Sequence, residues 1–433
     1  MFNKANDSEL ILGCVADDFT GGSDIASFLE QGGLKTILVN DIPSDHYRLP
    51  KGINALVIAL KTRSEDIHVA VEQSLSAFNW LIENGARQLF FKYCSTFDSH
   101  RYGNIGPVID GVIDHYHIPF TIISPALPIN GRTVKNGNLY VHGIPLHKSS
   151  MKNHPLTPMW DSNIAELMAL QGKYASINLN YDIIEKGVDI LNIEFLNIVK
   201  GAANQPFYLI LDHFTEDHAR TIIKQFGSHS FLTGSSGLAL ELAAYHSRMS
   251  NRACDVDKSN IQTHKRGGAI ILAGSCSEAT CKQIIHFKQN NNISLRVDPL
   301  KLTDGSLNND DFYRLIKENP SRNILFYGVD LEGDKRNSMD IKFSKLIEST
   351  MADIAEFAVN EKVERIIVAG GETAGAVAKK LGFKSYYIGP SVSSGVPVLI
   401  PEENSNLQLV FKSGNFGEED FFLKALETQH NVI

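Results

Sequence analysis

Two adjacent carboxylates, Asp17 and Asp18, stand where the apolar run ELILGCVA ends and the segment FTGGSDIA begins. The apolar run predicts a buried strand and the following segment predicts a helix, which places both carboxylates at the carboxyl end of a strand. Ligands of open α/β sheets bind along that edge. A carboxylate there can accept a hydroxyl proton, orient a substrate, or bind Mg²⁺ through water. The competing interpretation is that Asp18 only caps the helix.

More polar side chains follow the next predicted strands of the N-terminal half. They are Lys61 and Arg63 after ALVIAL, then Lys92, Ser95, Thr96, Asp98 and Asn104 in FKYCSTFDSHRYGN, and Arg132 after FTIIS. Because the carboxyl ends of parallel strands share one edge of a sheet, these groups are expected to converge. Such a mixture suits a small polyhydroxy acid, whose carboxylate pairs with Arg or Lys and whose hydroxyls bind Asp or Asn. Each residue alone is about equally well explained as a surface cation or part of a turn.

The C-terminal half carries three glycine-rich turns, each directly after a predicted strand. They are GSCS (274–277) after AIILA, GGET (370–373) after RIIVA, and KSGNFG (412–417) after LQLVF. Free N–H groups at a helix N-terminus bind anions, and glycine lets the backbone approach a phosphate. A single turn of this kind is usually a helix cap, but three in one domain favour a nucleotide site. The absence of GxxxxGK[ST] excludes a P-loop, and the absence of GxGxxG after these strands weakens a dinucleotide site.

Short apolar runs alternate with longer amphipathic segments along the chain, which is typical of parallel strands crossed by helices. With 433 residues, the chain is long enough for about two or three domains. The polar segment 251–268 separates two such alternations and is predicted to be a linker. We therefore predict an α/β protein with two domains, each a mainly parallel sheet flanked by helices, at 1–250 and 269–433. In the first, TVKNGNLYVHGIPL predicts a hairpin with an Asn-Gly turn.

Composition and charge argue against several classes of partner. The 41 Lys and Arg residues against 49 Asp and Glu give a net charge of −8, which offers no basis for binding nucleic acid or an anionic membrane. The 5 cysteines include no Cys-x-x-Cys pair and the 15 histidines no HExxH spacing, so neither a disulfide framework nor a protein metal site is expected. No apolar run reaches membrane-spanning length and no signal peptide is recognised, so a cytoplasmic location is expected. A homo-oligomer is compatible with the sequence.

Nine blocks of the sequence, in matching order, resemble the four-carbon acid sugar kinase family. They are VADDFTGGSDIA, FKYCSTFDSHRYGNIGP, ISPALPINGRTVKNGNLYV, HPLTPMWDSNI, LTGSSGLA, LAGSCSEAT, VAGGETAGAV, GPSVSSGVPV and FKSGNFGEEDFF. The resemblance implies an N-terminal substrate-binding domain, a C-terminal nucleotide-binding domain, and transfer of phosphate from ATP to the 4-hydroxyl of a four-carbon sugar acid. The ATP contacts of the family fall on Ser275 or Ser277, on Gly370, Gly371, Glu372 and Thr373, and on Gly414.

One block bears on the substrate. Family members that act on D-threonate or D-erythronate tend to read Asp-Ser-Thr-Leu-Arg-Gly-Asn where this chain reads STFDSHRYGN, from Ser95 to Asn104. The block resembles members that act on 3-oxo-tetronates (3-dehydro-L-erythronate or 3-dehydro-D-erythronate), and D-threonate or D-erythronate is the alternative substrate. The chain departs from the family at Ser235, where many relatives have glycine.

The resemblance gives the paired carboxylates a hypothesis. Phosphoryl transfer requires an aligned acceptor hydroxyl and a group that takes its proton. One of Asp17 and Asp18 would take the proton, and the other would bind substrate or, through water, Mg²⁺; Asp98 is the rival base. The two glycines at 21 and 22 would let the following helix point its N-terminus at the substrate. An NAD-dependent sugar acid oxidoreductase and a non-catalytic sugar acid sensor remain as alternatives from other classes.

Overall fold

A computed structural model describes residues 9–97, 101–153, 157–249, 268–290, 292–329, 331 and 341–428. The chain divides into two compact units, Met1–Asp255 and Val256–Ile433, which are called unit 1 and unit 2 below. Residues 251–267 of the predicted linker lie outside the described residues, and Gly268 directly precedes the first strand of unit 2.

Unit 1 consists of a parallel sheet with intervening helices and a small antiparallel sheet. Its elements are β1 (Leu12–Ala16), α1 (Phe19–Gln31), β2 (Thr36–Asn40), β3 (Ala55–Ala59), α2 (Ile67–Glu83), β4 (Gln88–Lys92), α3 (Ile105–Tyr116), β5 (Phe120–Ser124), η1 (Pro128–Asn130), β6 (Arg132–Lys135), β7 (Asn138–Val141), β8 (Ile144–Pro145), η2 (Leu146–Lys148), η3 (Ser150–Asn153), α4 (Ile164–Ala169), β9 (Ala175–Leu179), α5 (Tyr181–Ile184), α6 (Val188–Gly201), β10 (Phe207–Leu211), α7 (Glu216–Phe226), β11 (Phe231–Gly234), η4 (Ser236–Leu238) and α8 (Ala239–Met249), where η marks a 3₁₀-helix. The strand order of the larger sheet is β2-β3-β1-β4-β11-β5-β10-β9.

Strand β1 lies at the point where the strand order of unit 1 reverses. The chain runs from β1 to β2 and β3 on one side and then to β4 on the other. Ala16, the last residue of β1, is in register with Ala59 of β3 and Lys92 of β4. The residues that follow these three strands therefore share one edge, at the switch point where α/β sheets bind ligands.

Helix α2 illustrates how the sequence forms the layers around this sheet. Asp66 caps its N-terminus by accepting a hydrogen bond from His68 N at 2.9 Å. Ala70, Ala77 and Leu81 are fully buried on one face, at the spacing of an amphipathic helix.

Unit 2 is also a mainly parallel sheet with helices between its strands. Its elements are β12 (Ala269–Ala273), α9 (Glu278–Gln289), β13 (Ile293–Arg296), α10 (Pro299–Asp304), α11 (Asn309–Glu318), β14 (Ile324–Tyr327), α12 (Ile341–Asn360), β15 (Arg365–Ala369), α13 (Gly371–Leu381), β16 (Ser385–Ser393), β17 (Val396–Pro401), β18 (Gln408–Lys412) and α14 (Phe421–Glu427). Its strand order is β13-β14-β12-β15-β18-β17-β16, and only the pairs that include β17 are antiparallel. The predicted α/β class with mainly parallel sheets is confirmed.

Three strands of the two mainly parallel sheets were not predicted from the sequence, and each has a physical reason. β9 and β13 are the outermost strands of their units and are mostly half-exposed, so they lack the continuous apolar run of a central parallel strand. β17 contains two prolines, which are unusual inside strands. The predicted hairpin is confirmed as β6 and β7, with Asn136 and Gly137 both at positive φ. Among the described residues, no helix is long and apolar enough to span a membrane.

Candidate functional sites

Arg63 joins the two N-terminal carboxylates into one cluster. Its Nε and Nη2 atoms donate hydrogen bonds to the two oxygens of Asp17 at 3.0 and 2.8 Å, and Nη2 also donates to Asp18 Oδ1 at 2.8 Å. Asp17 is only 4% exposed, so this bidentate pair gives a buried carboxylate its counter-charge. Arg63 is therefore engaged with the protein's own carboxylates and is a poor candidate for the carboxylate of a ligand.

Asp18 is also the N-cap of α1. Its side chain accepts hydrogen bonds from Gly21 N at 2.9 Å and Thr20 Oγ1 at 2.8 Å. Burial raises the pKa of Asp18, but Arg63, Lys92 and these two hydrogen bonds outweigh burial, so the pKa lies below its usual range. The interpretation of Asp18 as a helix cap is confirmed, and its carboxylate is a weak base.

The two glycines of this motif lie inside α1 and not ahead of it. A Cβ on Gly22 would lie 2.9 Å from Ala59 Cβ, and a Cβ on Gly21 would lie 2.4 Å from Asp18 Oδ1 and 3.2 Å from Lys92 Nζ. The glycines therefore allow the first turn of α1 to pack closely on the sheet and on Lys92. They do not leave the helix N-terminus open, because Asp18 caps it.

A second polar group lies at the end of β4. Lys92 is 2% exposed, donates from Nζ to Tyr93 O at 3.0 Å, and lies 3.8 Å from Asp24 Oδ2. Asp24 belongs to α1, and its Oδ2 also accepts a hydrogen bond from Ser236 Oγ at 2.5 Å. Its other oxygen, Oδ1, is buried and has no hydrogen-bond partner in the part of the chain that the structure describes.

Arg132, the first residue of β6, has a guanidinium that is only partly paired. Its Nη1 donates to Asn130 O, whereas its Nε is buried and has no hydrogen-bond partner among the described residues. None of the described carboxylates forms a salt bridge with Arg132. Burial lowers the pKa of Arg132, and Cys94 and Asp24 only partly offset burial. A desolvated cation without a carboxylate partner is a favourable place for an anionic ligand.

Asn104 has a structural contact in this unit. Its Nδ2 donates to Thr62 O at 2.6 Å and to Glu65 O at 2.9 Å. These bonds fix the loop after β3 that carries Arg63, so Asn104 acts on the carboxylate cluster through that loop.

The other predicted residues of unit 1 have varied placements. Thr96 is buried, with Oγ1 2.9 Å from Cys94 Sγ, and Ser95 is half-buried. Lys61 is exposed, and within the described ranges it takes no part in the Arg63 cluster. Asp98 lies outside the described residues.

The three glycine-rich turns of unit 2 meet at one edge of the sheet, because β12, β15 and β18 are neighbours. A Cβ on Gly274 would lie 2.1 Å from Thr373 Oγ1, and a Cβ on Gly370 would lie 3.1 Å from Ser275 N. A Cβ on Gly414 would lie 2.3 Å from Ser275 Oγ. Glycine at these positions is what permits the turns to approach one another.

Helix α13 begins with an open N-terminus. Its N-cap residue, Gly370, has φ of 126° and provides no side-chain cap. A Cβ on Gly371 would meet nothing within 4 Å. Glu372 is exposed and Thr373 is buried. Since the first N–H groups of a helix have no partner within the helix, this turn offers donors to an anion.

Helix α9 differs from this arrangement. Ser277 Oγ accepts a hydrogen bond from Thr280 N at 3.3 Å and donates to Gly414 O at 2.6 Å. One of the first N–H groups of α9 is therefore already bonded to the cap of the helix. Ser275 Oγ accepts from Ser277 N at 3.2 Å, and its own hydrogen goes to none of the described groups. Of the two serines, Ser275 has the hydroxyl available to a ligand.

Lys412 ends β18 and is fully buried. Its Nζ donates to Thr280 Oγ1, Ser413 O and Gly414 O at 3.1, 3.1 and 3.0 Å. Burial lowers its pKa to about 7. Lys412 therefore fixes the 413–414 turn, and within the described ranges no carboxylate forms a salt bridge with it.

Comparison with known proteins assigns a domain to each unit. Residues 12–242 match the model of a sugar-binding N-terminal domain, and residues 270–422 match that of a nucleotide-binding C-terminal domain. The chain is 37% identical to a 3-oxo-tetronate kinase of Pseudomonas savastanoi pv. phaseolicola, over 98% of both chains. The chain belongs to the four-carbon acid sugar kinase family. A 3-oxo-tetronate kinase of Escherichia coli K12 is 36% identical, over 88% of this chain and 98% of the relative. A crystal structure from Salmonella typhimurium LT2 is 34% identical, with a TM-score of 0.82 over 96% of this chain and 98% of that chain.

Two polar residues of this kinase, Asp24 and Ser236, were not among the candidates predicted from the sequence. Both lie inside quoted motifs, but neither follows a strand directly. The available signal was helical periodicity, since Asp24 stands four residues before Phe28 on the buried face of α1. A charged residue on a core-facing position requires partners, and Ser236 and Lys92 supply part of them.

Mg²⁺ is the metal that a kinase family implies, and Asp17 and Asp18 do not fit it as ligands. Their oxygens accept hydrogen bonds from Arg63, Thr20 and Gly21. The described residues also contain no group of three or more His, Cys, Asp or Glu side chains that could hold a metal ion. The hypothesis of a water-bridged Mg²⁺ on this pair has no support in the geometry.

Proposed function

We propose that this kinase transfers the γ-phosphoryl group of ATP to the 4-hydroxyl of a 3-oxo-tetronate, either 3-dehydro-L-erythronate or 3-dehydro-D-erythronate. The observation that carries the proposal is the half-buried guanidinium of Arg132 in the sugar-binding domain, whose Nε is buried and has no hydrogen-bond partner among the described residues. Relatives named 3-oxo-tetronate kinase, which align over nearly the whole chain, support the same substrate class.

The substrate's carboxylate is assigned to Arg132. Its Nε has no hydrogen-bond partner among the described residues, and Asp24 and Cys94 only partly offset the burial of its charge, which favours an anion beside it. Arg63, by contrast, already donates from Nε and Nη2 to Asp17 and Asp18, so its charge is balanced within the protein. This contrast revises the initial set of substrate ligands: Arg132 binds the substrate, while Arg63 and Asn104 organise the loop next to it.

The ATP phosphates are assigned to the open N-terminus of α13. Gly370 and Gly371 leave its first N–H groups accessible, and Ser275 offers a hydroxyl donor from the neighbouring turn. Gly414 permits Ser275 to lie close. We propose that Mg²⁺ enters as the counter-ion of the ATP phosphates and not on Asp17 and Asp18, since Mg²⁺ in kinases is commonly bound through substrate phosphates.

Asp17 and Asp18 are assigned a positioning role. With Arg63 between them, the pair joins the end of β1, the start of α1 and the loop after β3. The low pKa of Asp18, which Arg63 and Lys92 bring about against burial, makes that carboxylate a poor acceptor for a hydroxyl proton.

The test is ADP release from the purified protein with Mg-ATP and a panel of four-carbon acids. The panel contains 3-dehydro-tetronates of both stereochemical series, D-threonate, D-erythronate and L-threonate. Turnover confined to the 3-oxo acids is expected. Turnover on the unoxidised acids would assign the chain to the D-threonate or D-erythronate branch, and heat protection by NAD(H) instead of ATP would favour an oxidoreductase.

A further inference from the structure

The carboxylate of Asp24 is buried at the substrate-binding edge of unit 1 and is incompletely paired. Asp24 is 6% exposed, and its Oδ2 accepts the hydrogen bond from Ser236 Oγ and lies near Lys92 Nζ. Oδ1 is buried and accepts nothing from the described residues. Since buried polar atoms are nearly always hydrogen-bonded, an orphaned carboxylate oxygen at a ligand-binding edge calls for a donor from the ligand.

The other two described carboxylates of this edge are already engaged. Both oxygens of Asp17 accept hydrogen bonds from Arg63, and those of Asp18 accept from Arg63, Thr20 and Gly21. Asp24 has no such guanidinium bound to it. Of these three carboxylates, only Asp24 has a buried oxygen left without a hydrogen bond.

We propose that Asp24 is the catalytic base of this kinase and accepts the proton of the substrate's 4-hydroxyl on Oδ1. As the hydroxyl oxygen forms its bond to the γ-phosphorus, the bond from that phosphorus to the β–γ bridging oxygen breaks. ADP leaves with that electron pair, and the proton moves from the hydroxyl to Asp24. The proposal rests on the proposed function, because it requires the acceptor to be an alcohol.

The charges around Asp24 suit this role. Burial raises the pKa of Asp24, and the negative charge of Asp18 raises it further. The charges of Lys92 and Arg132 and the hydrogen bond from Ser236 lower this pKa, but they do not cancel the rise. The raised pKa makes the carboxylate a stronger proton acceptor than an ordinary aspartate, and the two cations favour its ionised form before transfer.

The first experiment compares Asp24→Asn with wild type in the ADP-release assay. We expect kcat to fall about 10²- to 10⁴-fold, the range for loss of a general base, with less than a threefold change in the Kd of ATP. Asp110→Asn is the matched control, because Asp110 is a buried carboxylate of the same unit that bonds to Tyr208 and the backbone of Lys173. Its kcat should stay within about threefold of wild type, as no reacting group is removed.

The second experiment separates a base from a structural carboxylate and does not depend on folding of the Asn variant. Ser236→Ala keeps Asp24 but removes the hydrogen bond that lowers its pKa. The acid limb of the kcat profile, where activity falls as Asp24 becomes protonated, should therefore move to higher pH.

The outcomes are distinct. An acid limb that stays in place in Ser236→Ala, or an Asp24→Asn variant that folds and retains more than about a tenth of wild-type kcat, overturns the assignment of Asp24. Absence of turnover by the wild-type protein on every 3-oxo acid overturns the proposed function itself.

Discussion

Gly370 allows a sharp test of the nucleotide site, because its backbone conformation is one that alanine cannot adopt without strain. Its φ is 126°, and an added Cβ would lie 3.1 Å from Ser275 N and 3.2 Å from Ser275 Cβ. Forcing a non-glycine residue into such a region costs about 1–3 kcal/mol. For a domain of about 150–250 residues, that lowers Tm by roughly 2–12 °C. If the strain displaces the first turn of α13, the Kd of ATP rises by about 5- to 150-fold.

Two other glycines of α13 provide matched controls for Gly370→Ala. A Cβ on Gly371 or on Gly375 would meet nothing within 4 Å, and neither has a positive φ. Gly375→Ala should leave ATP affinity unchanged and raise helix stability by up to about 1 kcal/mol. Gly371→Ala should leave the stability of the ligand-free protein unchanged but weaken ATP binding, because its Cβ would stand where the phosphates approach.

The assay is a thermal melt of each variant without ligand, followed by calorimetric titration with ATP. We expect three different patterns: loss of stability and ATP affinity for Gly370→Ala, loss of ATP affinity alone for Gly371→Ala, and neither loss for Gly375→Ala. A Gly370→Ala protein with wild-type Tm and wild-type ATP affinity would refute both the strain argument and the placement of the phosphates at α13.

Two further predictions concern cations of the two units. Arg63→Met removes the guanidinium between Asp17 and Asp18, so we expect a loss of about 3–5 kcal/mol of stability in urea unfolding at pH 7, because the buried Asp17 carboxylate loses its counter-charge. A loss below about 1 kcal/mol, the value of an exposed ion pair, would contradict this expectation. Lys412 has a folded-state pKa of about 7 against an ordinary 10.5, so between these pH values the unfolded chain holds more protons and stability rises with pH. The free energy of unfolding of the wild-type protein should therefore increase relative to that of Lys412→Met from pH 7 to pH 9, by at most about 1.4 kcal/mol per pH unit. A difference between the two proteins that stays constant over this range would count against the low pKa.

The elements around both sites could be predicted from the sequence because central parallel strands are continuous apolar runs. The runs that became β1, β4, β12 and β15 end where the polar or glycine-rich motifs begin, so the edge on which ligands bind could be located. The edge strands β9 and β13 could not, since half-exposed strands carry no such run.

The hydrogen bonds and ion pairs between side chains could not be predicted from the sequence in the same way. Asp17, Asp18, Arg63 and Arg132 were all candidates, but a sequence cannot tell that one arginine is held by two carboxylates while the other is left without one. That difference depends on contacts between residues up to 46 positions apart in the chain. It is the basis on which we propose a positioning role for Arg63 and the aspartate pair.

The two units show the same electrostatic arrangement with different residues. Each contains a cation that is shielded from solvent and to which the described residues give no carboxylate salt bridge: the half-buried Arg132 in the sugar-binding unit and the buried Lys412 in the nucleotide-binding unit. Burial depresses the pKa of both groups, which means that the cationic form is costly until an anion approaches. Other buried cations, such as Lys92 near Asp24, have a carboxylate within 4 Å. A sugar acid and a nucleotide are both anions, so each ligand would supply the negative counter-charge that the cation of its unit lacks. Both ligands should therefore bind the folded protein in preference to the unfolded chain.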